Sequence, residues 1–206
     1  MSGSVAEDYF VTYGILGPNH NSEAAKVIRK LQPSLASVTY SKPSKYVEEL
    51  WTQIQKSDIS NNMNGVAFEL ILACVLIKED LHPFYMSAEV QHVPNARFDL
   101  MFYAEEIGPI VLSAKTSLRE RYKQADLESL ALRAVYRRSK TYLITLEERE
   151  AKGVQEKIDS GEVTSLNACI VASEREFDGL IGELHEYTMI EAPTLPIVNR
   201  GRFVKH

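Results

Sequence analysis

The segment Val66–Ile77 constrains the fold of this chain most, because it is apolar on nearly every side of a helix. Its apolar members are Val66, Ala67, Leu70, Ile71, Cys74, Val75 and Ile77. A helix of this kind is stable only when other elements cover it on all sides. The stretch is too short and too interrupted to span a membrane. The sequence therefore predicts a central buried helix over Asn61–Asp80 of a soluble domain.

Helical patterns precede this segment. The stretch 21–30 predicts a helix capped near Asn21 or Ser22. Pro43 is typical of a helix start. The residues after it place one apolar face at helical spacing, formed by Val47, Leu50, Trp51 and Ile54.

Strand patterns follow Pro83, and helices and strands then alternate. The turn Ala104–Gly108 predicts a hairpin between the second and third strands. The predicted strands are Phe84–Val90, Arg97–Tyr103, Pro109–Ala114, Thr141–Leu146 and Leu166–Ala172, and the predicted helices are Arg121–Arg138, Glu147–Asp159 and Glu174–Glu186. This order predicts an α/β domain with a mixed central β-sheet and helices on both faces.

Length and composition favour one intracellular domain. The 206 residues are enough for a single domain, 1–206, with a helical elaboration over about residues 1–60. Cys74 and Cys169 lie in apolar surroundings and are expected to be buried free thiols in a reducing compartment. Met1–Asp8 has neither a basic start nor an apolar run, so we expect no signal peptide and a cytoplasmic location.

The charge is unevenly distributed along the chain. A net charge of −5 argues against a protein that coats nucleic acid. Residues 115–140, however, contain eight Lys or Arg against three acids. The basic tail, about 193–206, adds Arg200, Arg202 and Lys205 without any acid, and predicts either a DNA-contacting arm or a disordered end.

Three residues suggest a site for chemistry. Asp99 lies inside an apolar strand, where a carboxylate is costly unless it is paired or binds a cation. Lys115 ends the neighbouring strand, so the hairpin should bring both to one end of the sheet. Glu128 on the following helix can face the same point. Carboxylates that hold Mg²⁺, beside a lysine ammonium, suit phosphodiester hydrolysis.

The pattern Asp99, Ser113-Ala-Lys115, Glu128 resembles the PD-(D/E)xK nuclease superfamily, whose hairpin carries Asp and then (D/E)xK. Ser113 stands where the family's second acid would be. In the restriction endonucleases of the EcoRII, PspGI and NgoMIV group, that acid has moved into the next helix. Twelve residues separate Lys115 from Glu128, as is typical of that group.

The resemblance also includes a base-reading triplet four residues after the lysine. Arg119, Glu120 and Arg121 occupy that offset. Independently of the family, Arg is suited to guanine O6 and N7 and Glu to cytosine N4, so the triplet suits consecutive G·C pairs. A second interpretation remains open for Glu120, because Ser117-Leu-Arg-Glu120 also fits a helix capping box.

The resemblance implies a role for each residue. Asp99 and Glu128 would ligate Mg²⁺ together with the Ala114 carbonyl, Lys115 would position or activate water, and Ser113 would lie within the metal site. Glu69 is the family's helix acid, with ligand, supporting and purely structural roles all open. Lys123 is expected to contact a phosphate. Glu128 as a surface acid is the other interpretation. A further set, expected to be a solvated face or backbone contacts, is Arg133, Arg137, Arg138 and Lys140.

The expected protein is therefore a Mg²⁺-dependent type II restriction endonuclease of a restriction–modification system. It would act as a homodimer on double-stranded DNA, at a palindrome with CC and GG half-sites such as CCNGG, CCWGG or CCGG, and leave 5′-phosphates. Its host would need a companion DNA methyltransferase. Two alternatives remain: a repair or structure-specific nuclease of the same superfamily, and a catalytically silent DNA-binding module.

Overall fold

The computed structural model describes residues 14–15, 25–27, 30–31, 38–56, 61–193 and 198–204. Residues 25–27 and 30–31 are helical, in line with the first predicted helix, whose cap lies outside the described residues. The elements in chain order are α1 (Pro43–Gln55), α2 (Asn61–Lys78), β1 (Phe84–Val90), β2 (Phe98–Ala104), β3 (Gly108–Lys115), α3 (Arg121–Val135), β4 (Lys140–Thr145), α4 (Glu148–Asp159), β5 (Ala168–Val171), α5 (Arg175–Leu184) and β6 (Val198–Val204).

The strands form one mixed six-stranded sheet in the order β5-β4-β3-β2-β1-β6. The pairs β6–β1, β1–β2 and β2–β3 are antiparallel, whereas β3–β4 and β4–β5 are parallel. Parallel neighbours need a crossover, and α3 and α4 provide the two crossovers. The predicted α/β architecture with a mixed sheet is confirmed.

Helices cover both faces of the sheet, as the sequence predicts. The side chains of Ile110, Leu112 and Ala114 join the core with α1, α2 and α5, while Val111 between them joins the core under α3. Strand alternation produces this division. The helix α2 is buried along most of its length, because its apolar residues meet the sheet on one side and α1 on the other.

The hairpin register determines where the polar residues meet. Ala104 pairs with Gly108 at the turn, and Leu100 pairs with Leu112 farther along. The first residues of β2 and the last residues of β3 therefore share one end of the sheet. On the other side of β3, Lys115 pairs with Thr145 of β4 in parallel register.

The C-terminal tail is a strand. Residues 198–204 pair antiparallel with β1 and form the sheet edge, so the expectation of disorder is wrong for these residues. The bounds of α3 also differ, since it ends at Val135 and not at Arg138. The backbone leaves the helix at Tyr136, where ψ is 85°. Both cysteines are free and buried, as expected. Among the described residues, no helix is long and apolar enough to cross a membrane.

Candidate active site

A cleft of about 520 Å³ opens where β2 begins and β3 ends. It brings together three acids and three bases from α2, α3, β2, β3, β6 and the β1–β2 connection. The lining residues are Val66, Glu69, Ser87, Asn95, Arg97, Asp99, Lys115, Gln124, Glu128 and Arg202. The sequence-predicted residues Asp99, Lys115, Glu128 and Glu69 all lie in this one cleft.

Asp99 is the best-connected residue of the cleft. Its Oδ2 accepts hydrogen bonds from Lys115 Nζ at 2.5 Å, from the Ala114 N–H at 2.8 Å and from the Ser113 hydroxyl at 3.4 Å. The Asp99 and Lys115 side chains are only 17% and 14% exposed. The pair is thus held by the hairpin that the sequence predicts, and Ser113 contacts the same carboxylate.

Glu69 reaches the cleft from α2, the central helix. Burial raises the pKa of its carboxyl to about 7, and the neighbouring Asp99 carboxylate adds to this rise. The positive charges of Lys115, Arg202 and Arg97 oppose the rise without cancelling it. Glu69 therefore exchanges its proton near neutral pH, which is unusual for a glutamate and typical of functional sites.

Glu128 faces the cleft because α3 is fixed in rotation. Asp126 accepts the Ser165 N–H at 2.8 Å, and the buried Ser129 hydroxyl donates to the Ser165 carbonyl at 2.7 Å. Burial raises the pKa of the Glu128 carboxyl, a rise opposed by the hydrogen bond that Gln124 donates to it at 2.8 Å. Glu128 is half-buried in the wall of the cleft.

The donor set of the cleft suits a hard divalent cation. Three carboxylates line it, and burial together with the Asp99 charge raises the pKa of both Glu69 and Glu128, so a cation among them would stabilise their ionised forms. Within the described part of the chain, no three metal-ligating side chains are already gathered into a finished metal site. The Lys115 ammonium donates a hydrogen bond to Asp99 Oδ2. Asp99 and Glu128 are thus available as ligands, with Ala114 beside them on β3.

The triplet lies on the connection between β3 and α3. Leu118 anchors this connection, since its side chain is buried and its N–H donates to Glu150 Oε2 at 2.6 Å. Arg119 has a φ of +28°, a left-handed value that is strained for a side chain with a Cβ. Arg119 and Arg121 line a second cleft, of about 770 Å³, beside Trp51.

The capping-box interpretation of Glu120 is wrong. The helix begins at Arg121, four residues after Ser117, and Glu120 itself occupies the cap position without a side-chain cap bond. Its side chain is 80% exposed and pairs with Lys123 at 2.5 Å. Because no cap restrains it, the carboxylate is available to a ligand.

Sequence reasoning missed two arginines of the cleft. Arg202 comes from β6, opposite Met86 at a register shift in β1, and Arg97 comes from the β1–β2 connection. Ser87 at that shift has a φ of +54°, and Asn95 has a φ of +60°. A bulge of this kind re-aims side chains at a sheet edge. The only signal in the sequence was the basic tail itself.

Searches of protein-family models, curated proteins and solved structures give no significant match to this chain.

Proposed function

We propose that this protein is a Mg²⁺-dependent endonuclease with the PD-(D/E)xK fold, acting as a type II restriction enzyme. The observation that carries the proposal is the Asp99–Lys115 ion pair, in one cleft with Glu69 and Glu128. A lysine beside several carboxylates, at the end of a β-hairpin, suits hydrolysis of a phosphodiester.

Each cleft residue has a role in this proposal. Asp99 and Glu128 would hold Mg²⁺ with the Ala114 carbonyl, and Ser113 would support the Asp99 carboxylate. The bound ion supplies Lewis-acid stabilisation of the phosphate oxygens and lowers the pKa of water. Lys115, which contacts Asp99 in this structure, would direct its ammonium at the scissile phosphate.

Lys115 and Glu69 are the side chains proposed to stabilise charge and to transfer a proton. Lys115 orients the attacking water and offsets the negative charge that develops on the phosphate. Glu69, whose pKa is raised to about 7, accepts or returns a proton at the edge of the site. The P–O3′ bond breaks, so the products carry 5′-phosphates and 3′-hydroxyls.

Choice of the cutting site is assigned to the triplet. Arg119 and Arg121 donate to guanine O6 and N7, Glu120 accepts from cytosine N4, and Lys123 contacts a phosphate. The anchored connection at Leu118 supports this role, because base readout needs side chains on a rigid backbone. A palindromic target with CC and GG half-sites requires two triplets, hence a homodimer.

Digestion of a sequenced plasmid with Mg²⁺, followed by mapping of the ends, tests the proposal. We expect discrete bands, 5′-phosphate ends and a common motif with CC and GG half-sites at every cut. A smear or nicking without a motif would indicate a repair or structure-specific nuclease. Binding of DNA without any cleavage would indicate a catalytically silent module.

The triplet has its own test. Arg119→Ala should weaken binding to the cognate site by on the order of 1–3 kcal/mol while leaving binding to unrelated DNA nearly unchanged. An equal loss on both DNAs would show that Arg119 contacts only the backbone.

A further inference from the structure

The C-terminal strand delivers an arginine to the catalytic cleft. Arg202 on β6 lies opposite Met86 of β1, and its side chain lines the cleft that contains Asp99 and Lys115. Its neighbour on the same strand, Arg200, is 80% exposed, pairs loosely with Glu89 at 3.7 Å and does not line the cleft. The two arginines of this strand therefore have different environments.

Among the described residues, the Ile15 carbonyl holds the Arg202 guanidinium. Its Nη1 donates to the Ile15 carbonyl. The Glu69 carboxylate counteracts the fall that burial causes in the pKa of Arg202. A guanidinium has five N–H donors, and the described residues accept one hydrogen bond from this one. The remaining donors are available to a ligand in the cleft.

Arg97 is the second guanidinium of this region. It lies two residues before Asp99, is exposed and lines the same cleft. No hydrogen bond or ion pair of its side chain occurs within the described ranges. Its charge is close enough to lower the pKa of Arg202 further. Both guanidiniums line the cleft, and the planar guanidinium is a group suited to an oxyanion.

We propose that Arg97 and Arg202 bind a second phosphate of the DNA strand, next to the scissile phosphate that faces Lys115. This inference rests on the proposed nuclease function. Both arginines are positioning residues, since they hold the strand in register with Lys115 and do not touch the reacting atoms. The planar guanidinium fork matches phosphate oxygens, which a lysine at either position would not reproduce.

Substrates with one neutral methylphosphonate at a time, scanned across the cut strand, identify the contacted phosphate. We expect one position near the cut at which the wild-type enzyme binds about 10- to 100-fold more weakly, measured by anisotropy with Ca²⁺ in place of Mg²⁺. On the unmodified duplex, Arg202→Gln and Arg97→Gln should show a similar loss, and the slope of binding against salt should fall by about one phosphate.

The decisive result is non-additivity. Arg202→Gln should lose no further affinity on the substrate that lacks the contacted charge, because the interaction is already gone. Arg202→Lys should not restore full binding. In single-turnover cleavage the loss should appear mainly in KM. If the loss of affinity caused by Arg202→Gln multiplied with the loss caused by the methylphosphonate at every position, the proposal would be overturned.

Matched variants separate this proposal from folding and from the nuclease assignment. Arg200→Gln, on the same strand and outside the cleft, should bind as the wild type does. If Arg202→Gln fails to fold because the Ile15 contact is lost, Arg97→Gln carries the test alone. A wild-type enzyme that cleaves while both variants bind normally overturns only the second phosphate site. A wild-type protein that neither binds nor cleaves DNA overturns both proposals.

Discussion

Two lysine–carboxylate ion pairs lie at opposite ends of the same sheet. Lys115 at the end of β3 contacts Asp99 at 2.5 Å, and Lys140 at the start of β4 contacts Glu183 at 2.6 Å. Both pairs are partly buried and join neighbouring elements. Distance alone does not distinguish them, and the difference lies in what surrounds each pair.

The Lys140 pair is satisfied. Glu183 also accepts the Tyr142 hydroxyl at 2.6 Å, and Lys140 Nζ lies 5.3 Å from the centre of the Tyr187 ring. Burial would raise the pKa of Glu183, but the hydrogen bonds from Lys140 and Tyr142 outweigh it and lower that pKa. The Glu183 carboxylate accepts hydrogen bonds from both Lys140 and Tyr142, so this pair stabilises the fold.

The Lys115 pair lies beside two further carboxylates. Glu69 and Glu128 lie in the same cleft, and burial together with the Asp99 charge raises the pKa of both carboxyls. Such an arrangement opposes folding at neutral pH and persists where a ligand uses it. The two ends therefore differ in the environment of the ion pair, since carboxyls with raised pKa values share the cleft of Lys115, whereas the carboxyl that pairs with Lys140 has a lowered pKa.

Replacing each lysine should have the largest effect, and the effects should be opposite in kind. Lys115→Ala should reduce single-turnover cleavage by roughly 10²–10³-fold, because the charge beside the phosphate is lost. Lys140→Ala should leave cleavage intact and lower the free energy of unfolding by about 1–2 kcal/mol. Urea unfolding and cleavage rates of both variants check this. Cleavage retained by Lys115→Ala would remove the lysine from the active site.

The pH dependence of stability should differ in sign between the two ends. The folded-state pKa of Glu69 is about 7 against an ordinary 4.5, so the folded protein binds a proton that the unfolded chain has released. Its contribution therefore falls by up to about 3 kcal/mol as the pH rises through this window. Glu69→Gln should flatten the curve between about pH 4.5 and 7, the interval between the two pKa values, in urea unfolding with EDTA.

Glu183→Gln provides the opposite case. The pKa of Glu183 is lowered in the fold, so its contribution is present above its ordinary pKa and is lost as the pH falls through the folded value. The difference in unfolding free energy between wild type and Glu183→Gln should therefore shrink in acid. If the two variants changed the pH dependence of the unfolding free energy in the same direction, the comparison would be wrong.

Cation binding should be confined to the cleft that contains Lys115. Mg²⁺ at 100 times its dissociation constant should stabilise the wild-type protein by about 2.7 kcal/mol, seen as a rise in Tm without DNA. Asp99→Asn and Glu128→Gln should abolish that rise, and Glu183→Gln should keep it. A full response in Asp99→Asn would show that the ligand set is different.

Two hydroxyl deletions should give the smallest effects. Tyr142→Phe removes a hydrogen bond of 2.6 Å and should cost about 1 kcal/mol. Ser113→Ala removes a long contact of 3.4 Å, and Asp99 keeps its other two donors, so its cost should be smaller still. Thermal unfolding of both variants ranks them. A larger loss for Ser113→Ala would mean that the cleft carboxylate depends on the hydroxyl.

Local patterns predicted most elements because periodicity and turn residues act over short distances. The strand Phe84–Val90 has the predicted bounds, and α2 starts at the predicted residue. The strand β6 was missed because residues 198–204 contain Gly201 and two arginines, which hide a strand pattern. Its stability comes from pairing with β1, more than one hundred residues earlier. The start of α3 at Arg121 is confirmed, whereas its end was misjudged, since the helix ends at Val135 and not at Arg138.

The sequence by itself determined that Asp99 and Lys115 meet at one end of the sheet, and it predicted Glu128 beside them. The types and spacing of Asp99, Lys115 and Glu128, with the hairpin turn between the first two, identified the cleft. Only the tertiary structure decided that the pKa of Glu69 is raised and that Arg97 and Arg202 line the same cleft. The pKa of Glu69 depends on burial and on the charges of residues distant in sequence, and the cleft depends on residues from several elements. Both arise only when the sheet edge and the central helix pack together.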